Sequence, residues 1–235
     1  MAELSILHLY PETLKLNGER GNTTALKIRA EQFGLKVRVA QVEVGQDLPA
    51  KRPHIVVLGS GTLSATLHAA TDLQSKGDQL HRWLVAGTKV LAVGSGFDLI
   101  SQGLNLANGG FLQGLGLTNT THSIEPTYLV GEVELTNGIA GFINSNRSIS
   151  RGSGAFQVGV VQASDSKELI GYIDGYSDGR VLASNVQGPL LPMNPKLADL
   201  LLSWVYPKLT KPTSLRTIDC LASKARKAIS VRVRG

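Results

Sequence analysis

The sequence predicts an α/β fold built on a mostly parallel sheet flanked by helices. Three observations lead there. Short apolar runs alternate with amphipathic stretches through the first hundred residues, the pattern of right-handed strand–helix–strand crossovers. Two of those runs end in Gly-rich turns, Gly59-Ser60-Gly61 and Gly94-Ser95-Gly96, as strands do where they hand over to helices. An amphipathic segment with proline at its start, PKLADLLLSWV at 195–205, closes the pattern.

The elements follow in order. Residues 4–9 (LSILHL) form an apolar run stopped by Tyr10-Pro11, a first strand. Asn22 has the chemistry of a helix cap, and the helix after it ends at Gly34. KVRVAQVEV at 36–44 alternates with period two, a half-buried strand. HIVVL at 54–58 is a fully buried strand entering the first Gly turn. Residues 63–86 read as helix, broken into two near Gly77, and 89–93 as the strand entering the second turn. Beyond Gly103, short β-like runs at 128–135, 141–144, 156–162 and 180–186 sit between Asn, Thr and Gly. The reading is one domain over 1–206, with 207–235 as a basic linker and tail.

Composition narrows the class. With 235 residues, 42% hydrophobic and mean hydropathy near zero, the chain reads as soluble and globular. No apolar run approaches the roughly 20 residues of a membrane span, and MAELSILHLYPE lacks the form of a secretory signal. Cys220 is the single cysteine, so no internal disulfide forms and no Cys/His cluster suggests zinc. The expected location is cytoplasmic, with no metal and no cofactor. The net charge of +6 is unevenly placed: residues 207–235 carry eight basic side chains against Asp219, leaving the other 206 residues at −1. A nearly neutral body argues against a nucleic-acid-binding domain and leaves only weak contact through the basic tail.

Both Gly turns follow strands of one parallel sheet, so they share its carboxyl edge, where ligands bind in open α/β folds. Neither turn is a nucleotide-binding fingerprint.

Two end segments carry a family resemblance. LYPETLKLNGERGNTTALKIRA (9–30) resembles the opening of the amidotransferase subunits of lipid II isoglutaminyl synthase, relatives of the cobyric acid synthase glutaminases. QGPLLPMNPKLADLLLSWV (187–205) is similar to their closing His-Gly-Pro-Leu-Leu-Pro-x-Asn-Pro motif and its helix. The resemblance covers about residues 4–205. It implies a flavodoxin-like class I glutamine amidotransferase domain. In such a domain a cysteine on a strand-to-helix elbow attacks glutamine, a histidine serves as base, and ammonia passes to a Mur-ligase-like partner in peptidoglycan synthesis.

The chain departs from that pattern at the chemistry. The family elbow, roughly Ile-Cys-Gly-Gly-Tyr-Gln, is here Val93-Gly94-Ser95-Gly96-Phe97-Asp98, which puts Gly94 at the nucleophile position. The histidine of His-Gly-Pro is Gln187, an amide that takes no proton at neutral pH. The family's Gly-Gly-Gly-Gln-Asp turn is Gly59-Ser60-Gly61-Thr62-Leu63, and an arginine expected near Tyr128 is missing. Losing a nucleophile in a comparable acyl-transfer site removes a factor on the order of 10⁶ in rate. The expectation is therefore a catalytically degenerate subunit with no catalytic residue, partnered by a Mur-ligase-like protein. Its vestigial pocket would comprise Gly59, Ser60, Gly61, Thr62, Ser95, Gly96, Tyr128 and Gln187.

Two alternatives stand beside it. A rewired enzyme would use Ser95 as nucleophile, with His122, read as lying in the loop TNTTHSIEP, as the replacement base. The other four histidines, His8, His54, His68 and His81, read as structural or surface groups. Alternatively, a small-ligand sensor would keep the pocket, including Asp98, without hydrolysis. Glu12, Glu19 and Arg20 read as a solvated or interface cluster, and Arg147 and Arg151 in NRSISRG as residues that could hold an anion or simply belong to a surface loop.

Overall fold

The computed structural model describes residues 2–154 and 156–235. Strands β1 (Glu3–Leu9), β2 (Lys36–Val42), β3 (Ile55–Leu58) and β4 (Lys89–Val93) alternate with helices α1 (Arg20–Gln32), α2 (Leu63–Val85) and α3 (Ser95–Ile100). Then come β5 (Gly103–Asn105), β6 (Phe111–Gln113), β7 (Thr120–Leu135), β8 (Ala140–Arg151), β9 (Gly159–Ser164), β10 (Ile173–Asp174), β11 (Tyr176–Ser177), β12 (Val181–Ser184) and β13 (Val186–Gln187). Three helices finish the chain: α4 (Leu190–Met193), α5 (Pro195–Val205) and α6 (Arg216–Arg234).

The core sheet has the order β11-β12-β4-β3-β1-β2, and every pairing in it is parallel except that of the edge strand β11. Period-two alternation divides its apolar side chains into two cores. Leu4, Ile6, Ile55, Val57, Leu91, Val93 and Leu182 face α1 and α5, together with Val133, Ile143 and Val161 of the second sheet. Leu7, Leu9, Val56, Leu58, Val90, Ala92 and Val181 face Ala69, Leu73 and Trp83 of α2 and Phe97 of α3. The predicted mostly parallel sheet with helices on both sides is what the chain builds.

The weaker β-like runs after Gly103 form a second sheet, β10-β9-β7-β5-β6, to which β8 and β13 are joined through β7. Among the described residues, only β5 and β7 pair in parallel there. Its backbone is a long β7–β8 hairpin whose register shifts between Ile124 and Leu129. A bulge of this kind re-aims side chains, and here it carries Tyr128 to the carboxyl edge of the core sheet.

Several sequence expectations are corrected. Helix α2 runs unbroken through Gly77, which faces Leu115 across a space too small for a larger residue to enter without a shift. Helix α1 starts at Arg20, so Asn22 lies inside it rather than capping it. Strand β2 is a mostly exposed edge, with Val42 alone fully buried, because nothing covers it beyond β1. The expected linker and tail is a short connection followed by a docked helix. Arg29, buried under α6, is held by both oxygens of Asp199 at 2.7–2.8 Å and by Asp219 at 2.7 Å. Arg232 and Arg234 pair with Glu132 and Glu134 of β7. Among the described residues, no helix is long and apolar enough to cross a membrane, and no group of His, Cys, Asp or Glu is placed to hold a metal.

Candidate functional site

The two Gly-rich turns pack against each other. A Cβ at Gly96 would sit 2.6 Å from the Gly59 carbonyl oxygen, and one at Gly59 would sit 2.7 Å from Glu19 Cβ, so both must be glycine. Above them opens a cleft of about 270 Å³ at the carboxyl ends of β3, β4 and β12. Ser60, Gly61, Thr62, Ser95, Tyr128 and Gln187 line it, with Gly94 at its floor. Gly59 and Gly96, expected in the pocket, instead support it from behind. Sequence reasoning missed Asn17, Asn144, Asn146 and Asn185, which also line it. Asn17 lies within a motif that was quoted. Asn144 and Asn146 arrive through the hairpin register, for which the sequence has no local signal.

Gly94 is the pivot of the site. Its backbone has φ +57° and ψ −125°, a conformation that side-chain-bearing residues rarely adopt and that elbow positions hold under strain. The Gly94 N–H is anchored on Ser184 O at 2.9 Å. A Cβ here would collide with Ser60 Oγ, lie 2.6 Å from Ser60 Cβ and lie 2.9 Å from Gln187 Nε2. The elbow geometry is present, and the space a reactive side chain would need is taken by two neutral polar groups.

Gln187 is itself locked. It pairs with Phe142 on β8, is 2% exposed, and its Oε1 accepts from Asn17 Nδ2. This bond belongs to a wider seam between the two end motifs. Asn22 Oδ1 accepts from Leu191 N at 2.8 Å, and a Cβ on Gly21 would press into the Pro189 ring. Asn194 then staples the closing motif to Ala140 of β8 through both its amide and its carbonyl.

Ser95 is poorly arranged as a nucleophile. Its Oγ accepts from Gly61 N at 2.9 Å, and its own N–H donates to Ser60 Oγ at 3.3 Å. His122 lies on β7 rather than in a loop, fully buried, with Nδ1 donating to Asp98 Oδ1 at 2.7 Å and Nε2 3.3 Å from Thr120 Oγ1. Its ring stands edge-on to Phe97 with centroids 4.4 Å apart. Asp98 also accepts from Arg147 Nε at 2.9 Å, so His122, Asp98 and Arg147 form one polar chain in which buried Asp98 and half-buried Arg147 line the cleft and His122 is buried behind them. Arg147 and Arg151 both sit in β8; the latter donates to the carbonyls of Gly175 and Ile173. No hydrogen bond connects Ser95 to His122 among the described residues.

Beside the cleft, Glu19 corrects the expectation of a solvated cluster. Glu12 and Arg20 pair at the surface, but Glu19 is fully buried against the first Gly turn. Its Oε2 accepts from Asn22 Nδ2 at 2.8 Å, while Oε1 has no partner among the described residues. Loss of solvation raises its pKa to about 8, against the opposing pull of the Asn22 hydrogen bond. Burial, with a smaller push from Arg20, likewise holds His8 neutral down to about pH 4.

The chain is similar to two curated proteins. It is 27% identical over 204 residues to "Lipid II isoglutaminyl synthase (glutamine-hydrolyzing) subunit GatD" of Streptococcus pneumoniae, covering 83% of this chain and 78% of that protein. It is 25% identical over 228 residues to the protein of the same name from Staphylococcus aureus, covering 93% and 91%. These relatives are the amidotransferase subunits that the end motifs resemble. No known family profile matches the chain. A solved structure described as a glutamine amidotransferase superposes with a TM-score of 0.53 over 85% of this chain and 98% of that one, at 12% identity, a likeness of fold.

Proposed function

We propose that this chain, related to the amidotransferase subunits of lipid II isoglutaminyl synthase, is a non-catalytic member of such a complex. It would bind a Mur-ligase-like partner in peptidoglycan precursor synthesis. The observation that carries this reading is the filled elbow. Glutamine hydrolysis needs a thiolate at the strained turn with a base beside it, and here Gly94 supplies no side chain while Ser60 and Gln187 occupy the place of one. What the chain keeps is the seam of Asn17, Asn22, Gln187, Leu191 and Asn194, which fixes fold and surface rather than chemistry.

The rewired alternative finds less support. His122 has its Nε2 on Thr120 Oγ1, not on Ser95, and Ser95 Oγ accepts a backbone hydrogen bond with no base at hydrogen-bond distance among the described residues.

The test joins two measurements on purified protein. A tagged pull-down from the native host should recover a Mur-ligase-like protein in near-equal amount, and the chain alone should release no ammonia from glutamine. Steady glutaminase turnover abolished by a substitution in this cleft overturns the reading, as does the absence of any stoichiometric partner.

A further inference from the structure

Helix α6 presents a face to solvent that the interior does not use. Leu215, Ala222 and Ile229 point into the protein and are buried. Arg216, Cys220, Lys224, Lys227 and Val231 are all exposed and fall within roughly 80° of arc at 100° per residue, a stripe about 22 Å long. Leu221 and Ala228 border it; Leu221 is 62% and Val231 64% exposed.

The charges divide along the same line. Lys211, Arg232 and Arg234 are spent on Asp199, Asp219, Glu132 and Glu134, and Arg226 donates to Met193 O. Arg216, Lys224 and Lys227 enter no ion pair among the described residues. The basic excess read from the sequence is thus sorted by folding: part of it clamps the helix down, and the rest faces outward beside two isolated aliphatic side chains. Long lysine stems can lie along an apolar boundary with their ammonium groups at its polar edge.

We infer that the outer face of α6 docks on an anionic lipid surface, with Arg216, Lys224 and Lys227 at the headgroups and Leu221 and Val231 dipping beneath them. Basic residues near such a surface each contribute about a factor of five in partitioning. A stripe of three, with two aliphatic anchors, gives weak, salt-sensitive and reversible attachment. The choice of a bilayer over another polyanion rests on the functional reading above, which joins this chain to relatives named as subunits of a lipid II isoglutaminyl synthase.

The test is co-sedimentation of the full chain with vesicles of phosphatidylglycerol and phosphatidylcholine in equal parts. Phosphatidylcholine vesicles and polyuridylate serve as comparisons. Binding is expected to the anionic vesicles alone, and is expected to vanish when salt is raised about tenfold. Lys224→Glu/Lys227→Glu should lower partitioning by more than about tenfold. The charge-matched Lys36→Glu/Lys167→Glu, on exposed positions elsewhere, should bind as the unmodified protein does. Absent vesicle binding, equal loss in both variants, or binding to polyuridylate in place of vesicles overturns the inference. A variant that loses vesicles but still recovers the partner protein separates this inference from the subunit reading.

Discussion

Ser60 fills the space that a side chain on Gly94 would occupy: its Cβ lies 2.6 Å from where a Cβ on Gly94 would project, with its Oγ nearer still. Two turns 34 residues apart in sequence are therefore coupled at one point. The residue at the elbow and the residue on the neighbouring turn have to be read together.

Gly94→Cys should accordingly destabilise the protein by about 1–3 kcal/mol, through overpacking and through a positive φ unsuited to a Cβ. Adding Ser60→Gly should recover part of that loss. Adding Gln187→His as well places a thiol and an imidazole where the related subunits are expected to hold theirs. Chemical denaturation measures the first two effects, and an ammonia assay with glutamine measures whether the triple variant gains turnover that Gly94→Cys alone lacks.

Asp98 is the common partner of His122 and Arg147, and Asp98 and Arg147 line the cleft. Asp98→Ala should cost about 3 kcal/mol, because it strands the half-buried Arg147 guanidinium and the buried His122 ring N–H. Asp98→Asn keeps one acceptor and should cost less. The ranking of the two midpoints in urea checks this. A fluorophosphonate probe should leave Ser95 unlabelled in the unmodified protein.

Glu19 predicts a particular dependence on pH. Burial raises its folded pKa from 4.5 to about 8, so the folded state binds the extra proton between those values. Stability from this group therefore falls as pH rises from about 4.5 to 8, and is level above. Glu19→Gln should stabilise the protein at pH 9 by up to about 5 kcal/mol, and the gain should disappear below pH 4.5. His8 acts in the other direction. Its lowered pKa means stability is lost as pH falls from 6.5 to about 4. Unfolding midpoints followed from pH 4 to 9 should show a broad maximum where the two ranges overlap, at about pH 4.5–6.5, in the unmodified protein, and the Glu19→Gln curve should lose its alkaline decline.

The attachments of α6 should differ sharply in strength. Arg29→Ala removes a buried fork shared by Asp199 and Asp219 and should cost about 3 kcal/mol or more. Arg232→Ala and Arg234→Ala break exposed pairs and should each cost less than about 1 kcal/mol. Hydrogen exchange in residues 216–234 should rise in the first variant and change little in the other two.

Much of the core was legible because its signals are local. Buried strands such as HIVVL and VLAV alternate between two cores, and the helix PKLADLLLSWV begins where proline allows and ends where the apolar periodicity stops. The second sheet was only glimpsed as isolated β-like runs. Its hairpin is specified by pairing between residues up to about thirty apart, and its bulge by a register shift rather than by composition. The break near Gly77 was misread because an isolated glycine weakens a helical pattern without ending it when the surrounding face is packed. The tail was misread because its acidic partners, Glu132, Glu134 and Asp199, lie elsewhere in the chain.

By itself the sequence determined the parallel α/β plan, the absence of any side chain at position 94 and the amide at position 187, since each is a matter of local pattern or residue identity. Only the tertiary structure decided that Ser60 and Gln187 close over Gly94, that Asn17 holds Gln187 from 170 residues away, and that the His122 Nε2 faces Thr120 instead of Ser95. The physical reason is range. Periodicity and glycine act within a few residues, whereas a cleft is made of hydrogen bonds and contacts between segments that only the completed sheets bring together.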